Sequence, residues 1–290
     1  MSRSRVPPIV GGADAEDPAK LRLGGMALRN GLLVHGPTHW AAAVRDKDGE
    51  ILVASGGKPS LGGGATERVP GLRGVTKLAE AMTVIPLVKR ALPAAKLPMQ
   101  DLRTLGVMAA AALCGQAIRA AGARTVVRES AVGMVSCVPA LFALSRGDLA
   151  SYHGVEHKSI AAYEQDGDAG EADKEHDRCG SNLVAPMLGA AAVGTVAVRR
   201  AGLRGPAADA VVALGSAAVA VEVFAWSERN DGTRLSRTLR RPGFEIQRLV
   251  GTREPTEEQL EVGRAALGEI LRVEEGGEAA PGLRSSQEAD

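Results

Sequence analysis

The chain has 290 residues, enough for one large domain or two small ones. Its 35 Lys and Arg residues are balanced by 34 Asp and Glu residues, so it lacks the basic excess of nucleic-acid-binding proteins, and no nucleic-acid partner is expected. Three scattered cysteines are too few for a disulfide framework, and a reduced compartment is expected for Cys179.

The first hundred residues predict a disordered tail at 1–20, followed by a β-hairpin and amphipathic region at 21–100. Residues 40–55 place an Asp-Lys-Asp-Gly turn between two mostly apolar arms, which predicts a hairpin, and residues 26–34 predict one more strand. Residues 76–92 predict a helix interrupted at a proline.

A helical domain is expected over residues 101–272, because it contains four uncharged apolar stretches, at 104–118, 130–145, 179–198 and 210–221. A membrane span needs about 20 mostly apolar residues, and only the third stretch reaches that length without help. The residues alone therefore leave two interpretations open: a membrane bundle, or the buried helices of a soluble Ala-rich bundle. The small share of aromatic residues, 2%, counts mildly against the membrane.

The C-terminal region predicts an amphipathic helix and then a disordered tail at 273–290. Thr256 and Gln259 have the spacing of a capping box, and Leu260, Leu267 and Ile270 then fall on one helical face.

The segment 151–182 carries the chemistry. His153, Glu156 and His157 spell H-x-x-E-H, which on a helix directs both imidazoles to one side, with the glutamate offset from them. In the zinc-protease motif of this inverted form the glutamate is the general base. Alone, the five residues are more simply a charged helix face exposed to solvent.

The same segment continues with His176 and Cys179, whose H-x-x-C spacing can close on one cation. Together the two groups predict a divalent metal site of zinc type with His153, His157, His176 and Cys179 as ligands. Three ligands and an open position would suit catalysis, whereas four would suit a structural site. Glu222 is a further candidate because it lies in an apolar helix, although a residue near a helix end can also reach water.

Four ordered blocks of the sequence resemble the bacterial domain-of-unknown-function 1385 family. YHGVEHKSIAAYE is similar to its Tyr-His-Gly-Ala-Glu-His-Lys-Thr-Ile signature and HDRCGSN to its His-Pro-Arg-Cys-Gly-Thr-Ser block. RRPGFEIQRLVGTREP resembles its C-terminal block, and GGMALRNGLLVHGP resembles its opening, with departures at Met26, Asn30 and His35.

This resemblance implies a multi-pass membrane protein, predicted to be a metal-dependent enzyme, without naming a substrate. It also marks the family's recurrent polar residues in this chain: His153, Glu156, His157, Lys158, His176, Arg178, Cys179, Gln247, Arg248, Arg253 and Glu254.

We therefore expect a mainly α fold: a membrane bundle of about four apolar helices, a small N-terminal β element and a C-terminal amphipathic helix. The expected partner is the lipid bilayer. Basic residues are more numerous on the side of the termini than in the opposite loops, so the positive-inside rule predicts that the termini and the site loop are cytoplasmic. The predicted function is a metal-dependent hydrolase with Glu156 and Arg178 as catalytic residues; Lys158, Glu222 and Arg253 are further candidates. The alternative is a non-catalytic membrane scaffold with a structural metal site.

Overall fold

A computed structural model describes residues 20–61, 72–123, 125–280 and 283–284, and it is mainly helical, as predicted, with 62% of these described residues in helices. The described residues form five strands, β1 Gly24–Leu28, β2 Gly31–His35, β3 His39–Arg45, β4 Ile51–Gly57 and β5 Leu283–Arg284. Their eight α-helices are α1 Leu72–Ala91, α2 Leu102–Ala120, α3 Val126–Leu144, α4 Leu149–Gln165, α5 Val184–Arg200, α6 Pro206–Arg229, α7 Arg234–Ile246 and α8 Glu257–Glu274. A 3-10 turn, Gly180–Leu183, precedes α5, and a π-helical turn, Gln247–Gly251, follows α7.

The strands form one antiparallel sheet in the order β1-β2-β3-β4-β5. The predicted hairpin is confirmed as β3 and β4, whose register pairs Arg45 with Ile51. Its turn is held by the carboxylate of Asp46, which accepts the N–H groups of Asp48 and Glu50 at 2.8 and 3.0 Å. Gly49 supplies the positive φ of 87° that the turn needs.

The prediction of a single strand over residues 26–34 is wrong, because this run divides into β1 and β2. Asn30 makes the turn between them. Its side chain donates to the carbonyls of Arg45 and Ala94 and accepts the N–H of Lys96. The sequence did not indicate this turn, because apolar residues flank it and the residues that stabilise it are distant in sequence.

Helix α1 was expected to break at Pro86, but it continues through this residue. Proline removes one backbone donor and disfavours the helix interior. Here Val84 and Val88 are fully buried against the sheet, and this packing offsets the local cost.

The sheet lies between helices on both faces. One face packs Leu32, Val34 and Ala43 against α4 and α8, and the other packs Trp40 and Val44 against α1. Alternate residues of each strand face opposite sides, so the sheet contributes to two hydrophobic cores. It thereby fixes α4 relative to the N-terminal region.

Three helices in the described part of the chain are long and apolar enough to cross a membrane: Val126–Leu144, Gly180–Arg200 and Pro206–Arg229. The first two stretches were expected to fall short of a span, but the helix of the second extends past Arg128 and Glu129. The helix of the fourth likewise extends past Asp209 and Glu222. Helix α2 does not reach this standard, so the expected bundle of about four apolar spans is matched only in part. Between 11% and 22% of the residues in these three windows are buried in the chain, which leaves large apolar surfaces exposed.

Helix α8 begins with the predicted capping box between Thr256 and Gln259 and buries its apolar face, including Leu260 and Ile270, in the core. Beyond α8, where a disordered tail was expected, Ala280 exchanges hydrogen bonds with Ser55. The two-residue β5 then pairs with β4.

Candidate metal centre

Helix α4 carries the H-x-x-E-H motif into the interior of the protein. It packs against the sheet and α8, and most of its residues are buried. Two glycines permit this close packing: a Cβ atom on Gly154 would lie 2.3 Å from the carbonyl oxygen of Arg253, and one on Gly263 would lie 2.4 Å from Val155. The motif is therefore not a solvated helix face.

The structure brings together His153 and His157 of α4 and Cys179, the N-cap of the 3-10 turn. One ligand atom of each residue lies within 4.8 Å of the others, and His153 Nε2 lies 3.5 Å from Cys179 Sγ. Tetrahedral zinc with ordinary Zn–N and Zn–S bonds separates its ligand atoms by about 3.3–3.6 Å. The three side chains could therefore hold one such ion after movements of about 1 Å.

Backbone carbonyls orient both imidazoles of this group. His153 Nδ1 lies 2.8 Å from the carbonyl oxygen of Gly251, and His157 Nδ1 lies 2.6 Å from that of Lys174. A carbonyl oxygen only accepts, so each ring donates through Nδ1, and an imidazole in this tautomer keeps a lone pair on Nε2. Metal-binding histidines commonly have this second contact.

The Nε2 atom of His157 is buried and has no hydrogen-bond partner among the described residues. Buried polar atoms are seldom left without a partner, and an unpaired acceptor on a residue of this group suits a cation. The donor set of two imidazoles and one thiol is also the borderline-soft kind that Zn²⁺ favours.

Burial determines the electrostatics of the group. Desolvation lowers the pKa of His157, with the nearby His153 acting in the same direction, so the imidazole is neutral and its lone pair is available. Desolvation also raises the pKa of the Cys179 thiol. This thiol would be a strong ligand only as the thiolate, which a bound cation stabilises while the proton is released to solvent.

Glu156 lies beside the three ligand candidates and is not one of them. It is buried against β1, where a Cβ atom on Gly25 would lie 2.7 Å from its Cγ, and it accepts the N–H of Ala27. Burial raises its pKa to about 7, while the charge of His153 opposes this shift and that of Cys179 adds to it. The side chain of Glu156 therefore contacts β1, and its role as a base beside the ligands stays a prediction.

His176 lies next to the group, with its ring centroid 5.7 Å from that of His157, but both of its nitrogens are engaged elsewhere. Its Nδ1 accepts the N–H of Arg178 at 3.2 Å, and its Nε2 lies 3.3 Å from a carboxylate oxygen of Glu164. Arg178 itself forms an ion pair with Glu164. The structure thus joins His176, Arg178 and Glu164 in a polar cluster adjoining the three ligand candidates.

The remaining candidates lie outside this group. Lys158 is almost fully buried, pairs with Glu254 at 2.5 Å and donates to the carbonyl of Ala172 at 2.7 Å. It therefore links the loop after α4 to the segment between the π turn and α8. The guanidinium of Arg253 lies 3.4 Å from the carbonyl of Ser145. Glu222 lies half-buried on α6.

The π-helical turn Gln247–Gly251 is a component that motif spacing did not indicate. Its last residue supplies the carbonyl that orients His153. Its first residue, Gln247, is fully buried, accepts the N–H of His176 at 2.8 Å and donates to Ser181 Oγ at 2.9 Å. Gln247 lies in the segment that resembles the family's C-terminal block, and this resemblance was the signal for it in the sequence. Such π turns occur often at functional sites.

Comparison with known proteins finds a match to one family model over part of the chain. No curated protein and no solved structure matches the chain. Residues 131–273, which contain α4, the 3-10 turn and the π turn, match the model of the family described as Protein of unknown function (DUF1385), and this confirms the family resemblance found in the sequence.

Proposed function

We propose that the chain is a multi-pass membrane protein of the cell membrane that binds one divalent ion of zinc type and acts as a metal-dependent hydrolase. The observation that carries the metal site is the convergence of one ring nitrogen each of His153 and His157 with Cys179 Sγ. Both imidazoles are also held at Nδ1 by backbone carbonyls. This arrangement orients lone pairs toward a common point before any ion binds.

The membrane proposal is supported by three apolar helices with mostly exposed surfaces. Helix α2 would be the fourth span, since it is joined to α3 by a short loop and by the ion pair between Arg119 and Glu129. The start of α2 is tied to the sheet by Arg29 and Asp101, at 3.6 Å. The sheet and the metal centre would then lie on the same side of the bilayer.

Basic residues favour the cytoplasm for that side and for both termini. Lys89, Arg90, Lys96 and Arg103 precede the bundle there, and the arginines of α7 follow it. A reduced Cys179 is consistent with this orientation.

A bound divalent ion would supply Lewis acidity, polarising a substrate oxygen and making a water molecule more acidic. Glu156 would accept a proton in this reaction, because its carboxylate lies beside the ligand group and is offset from the helix face that the histidines share. Arg178, tied to Glu164 at the rim, would orient an anionic substrate group. His153 is only partly buried, which leaves an approach to the site.

A structural metal site in a non-catalytic scaffold is the second candidate function. The burial of Cys179 at 9% exposure favours it, because closed structural sites protect their thiolates from solvent. The three-residue donor set favours catalysis, because it leaves a coordination position for water.

The proposal is tested first on the unmodified full chain. We expect recovery from the membrane fraction only with detergent, and about one zinc-type ion per purified chain by elemental analysis. Native protein in the detergent-free high-speed supernatant would exclude the membrane placement. Purified, folded protein without an ion after exposure to Zn²⁺ would exclude the metal site.

A further inference from the structure

Helix α7 is fixed beside the last candidate span. Thr233 caps its start by accepting the N–H of Ser236 at 3.1 Å, and Ser236 Oγ in turn contacts Ser227 Oγ of α6 at 2.7 Å. Further along, a Cβ atom on Gly243 would lie 2.2 Å from Asn182 Oδ1, so the helix packs tightly on the 3-10 turn. One face of α7, which carries the buried Ser236 and Gly243, therefore packs on the protein.

The outer face of α7 carries a row of arginines. Arg234, Arg237 and Arg241 follow i, i+3, i+7 spacing and are exposed, and within the described part of the chain their guanidinium groups have no ion-pair partner. Arg240, on the inner side, pairs with Asp177 and Asp231 instead. The row is thus separate from the internal salt bridges.

The only acidic residue within α7 is Glu245, which pairs with Arg248 at 2.8 Å. It therefore does not neutralise the row, and the outer face keeps a net positive charge.

Exposed apolar side chains accompany the row: Leu235 and Phe244 on α7, and Leu249 and Val250 on the π turn. A helix with arginines and exposed apolar residues on its free surface is typical of segments that lie in a bilayer interface. Its position is appropriate, since α7 begins five residues after the end of the candidate span Pro206–Arg229.

We propose that this arginine row, Arg234, Arg237 and Arg241, binds the headgroups of anionic phospholipids, with Leu235 and Phe244 inserted among the acyl chains. The inference rests on the proposed membrane placement. The positive charge of the row complements anionic headgroups, which favours a lipid surface as the partner. The contacts of α7 with α6, a candidate span, would also hold the row at the level of those headgroups. The row is not part of the proposed metal chemistry.

The experiment uses the full chain in nanodiscs of phosphatidylcholine alone or with one quarter phosphatidylglycerol, and measures hydrogen exchange of the α7 amides by mass spectrometry. We expect several-fold slower exchange in the anionic discs, and loss of this difference in high salt. The double variant Arg237→Gln, Arg241→Gln should remove most of this protection, because each arginine near the surface adds to the attraction for anionic headgroups. Arg237→Lys, Arg241→Lys should largely retain it, because the charge is kept.

The matched control removes two exposed arginines, Arg200→Gln and Arg204→Gln, at the other end of the candidate spans. It should leave the protection of α7 unchanged. Equal exchange of α7 in both kinds of disc would overturn the lipid surface, even if the chain inserts and binds its ion. A chain that enters neither kind of disc would overturn the membrane placement as well. Whether the chain enters the discs therefore shows which of the two proposals has failed.

Discussion

His153 Nδ1 donates to the carbonyl oxygen of Gly251 over 2.8 Å, across 98 residues of sequence. This contact joins the motif helix to a π-helical turn whose other end holds His176 and Ser181 through Gln247. The turn therefore positions both segments that supply the ligand candidates. A metal site built in this way depends on the C-terminal block as much as on the H-x-x-E-H motif.

The first prediction concerns the ligands. His157→Ala and Cys179→Ser should each lower Zn²⁺ affinity by at least tenfold, because each removes one of three converging donors. The measurement is a competition titration against a chelating dye, with His39→Ala as control, since that imidazole contacts Thr38 at a distance from the site. Full Zn²⁺ content in the double variant His153→Ala, His157→Ala would place the ion elsewhere.

The second prediction concerns His176, which the sequence predicts as a metal ligand but whose ring contacts Arg178 and Glu164 in the structure. Because both ring nitrogens are engaged by Arg178 and Glu164, we expect His176→Ala to retain one ion per chain with a smaller change in affinity than His157→Ala. If the two variants lose the ion equally, His176 is a fourth ligand and the site closes around the metal.

The third prediction concerns the π turn. Gln247→Leu should lower the free energy of unfolding by about 1–3 kcal/mol, because leucine can neither accept the N–H of His176 nor donate to Ser181 Oγ at this buried position. Arg248→Gln, its exposed neighbour, should change stability little. Thermal melting in detergent compares the two, and equal melting temperatures would show that the π turn is not a fixed support.

The fourth prediction compares two glycine substitutions in helices. Gly154→Ala should destabilise the protein by about 1–3 kcal/mol and weaken Zn²⁺ binding, since its Cβ would press on the Arg253 carbonyl near the π turn. Gly268→Ala, which meets no atom within 4 Å, should be neutral or stabilising because alanine favours a helix. A stable, fully metal-binding Gly154→Ala variant would argue against the close packing of α4.

The sequence predicted the parts of this site that depend on residue type and regular spacing. The i, i+4 histidines share one side of α4 because the helix formed where the motif indicated, and Cys179 lies at the start of an apolar helix, as the stretch 179–198 indicated. The β3–β4 hairpin followed from its turn residues in the same way.

The missed features depend on contacts between distant segments. A backbone carbonyl has no residue signature, so neither Gly251 nor Lys174 could be recognised as a partner of the histidines. H-x-x-C spacing likewise cannot show that Glu164, on the preceding helix, engages the ring of His176. Pro86 suggested a break in α1 because burial against the sheet is not visible in local sequence.

The last prediction distinguishes an enzyme from a scaffold. Glu156→Gln preserves the shape of the side chain and an oxygen that can accept the N–H of Ala27, but an amide cannot take up a proton. If the site is catalytic, this variant should keep the ion and the melting temperature and fail to complement a deletion strain. If the site is structural, it should complement fully, whereas Cys179→Ser should lower metal affinity and thermal stability together.

Three measurements on the same preparations make this comparison decisive: complementation, metal content and melting temperature. Glu261→Gln, on the exposed side of α8, controls for removal of a carboxylate and should behave as the unmodified chain. Loss of function together with loss of the ion in Glu156→Gln would indicate that Glu156 is itself a ligand. Full complementation by a stable, metal-loaded Glu156→Gln chain would rule out the proposed hydrolase, in which Glu156 is the base. The other carboxylate of α4, Glu164, forms an ion pair with Arg178 and would not replace it.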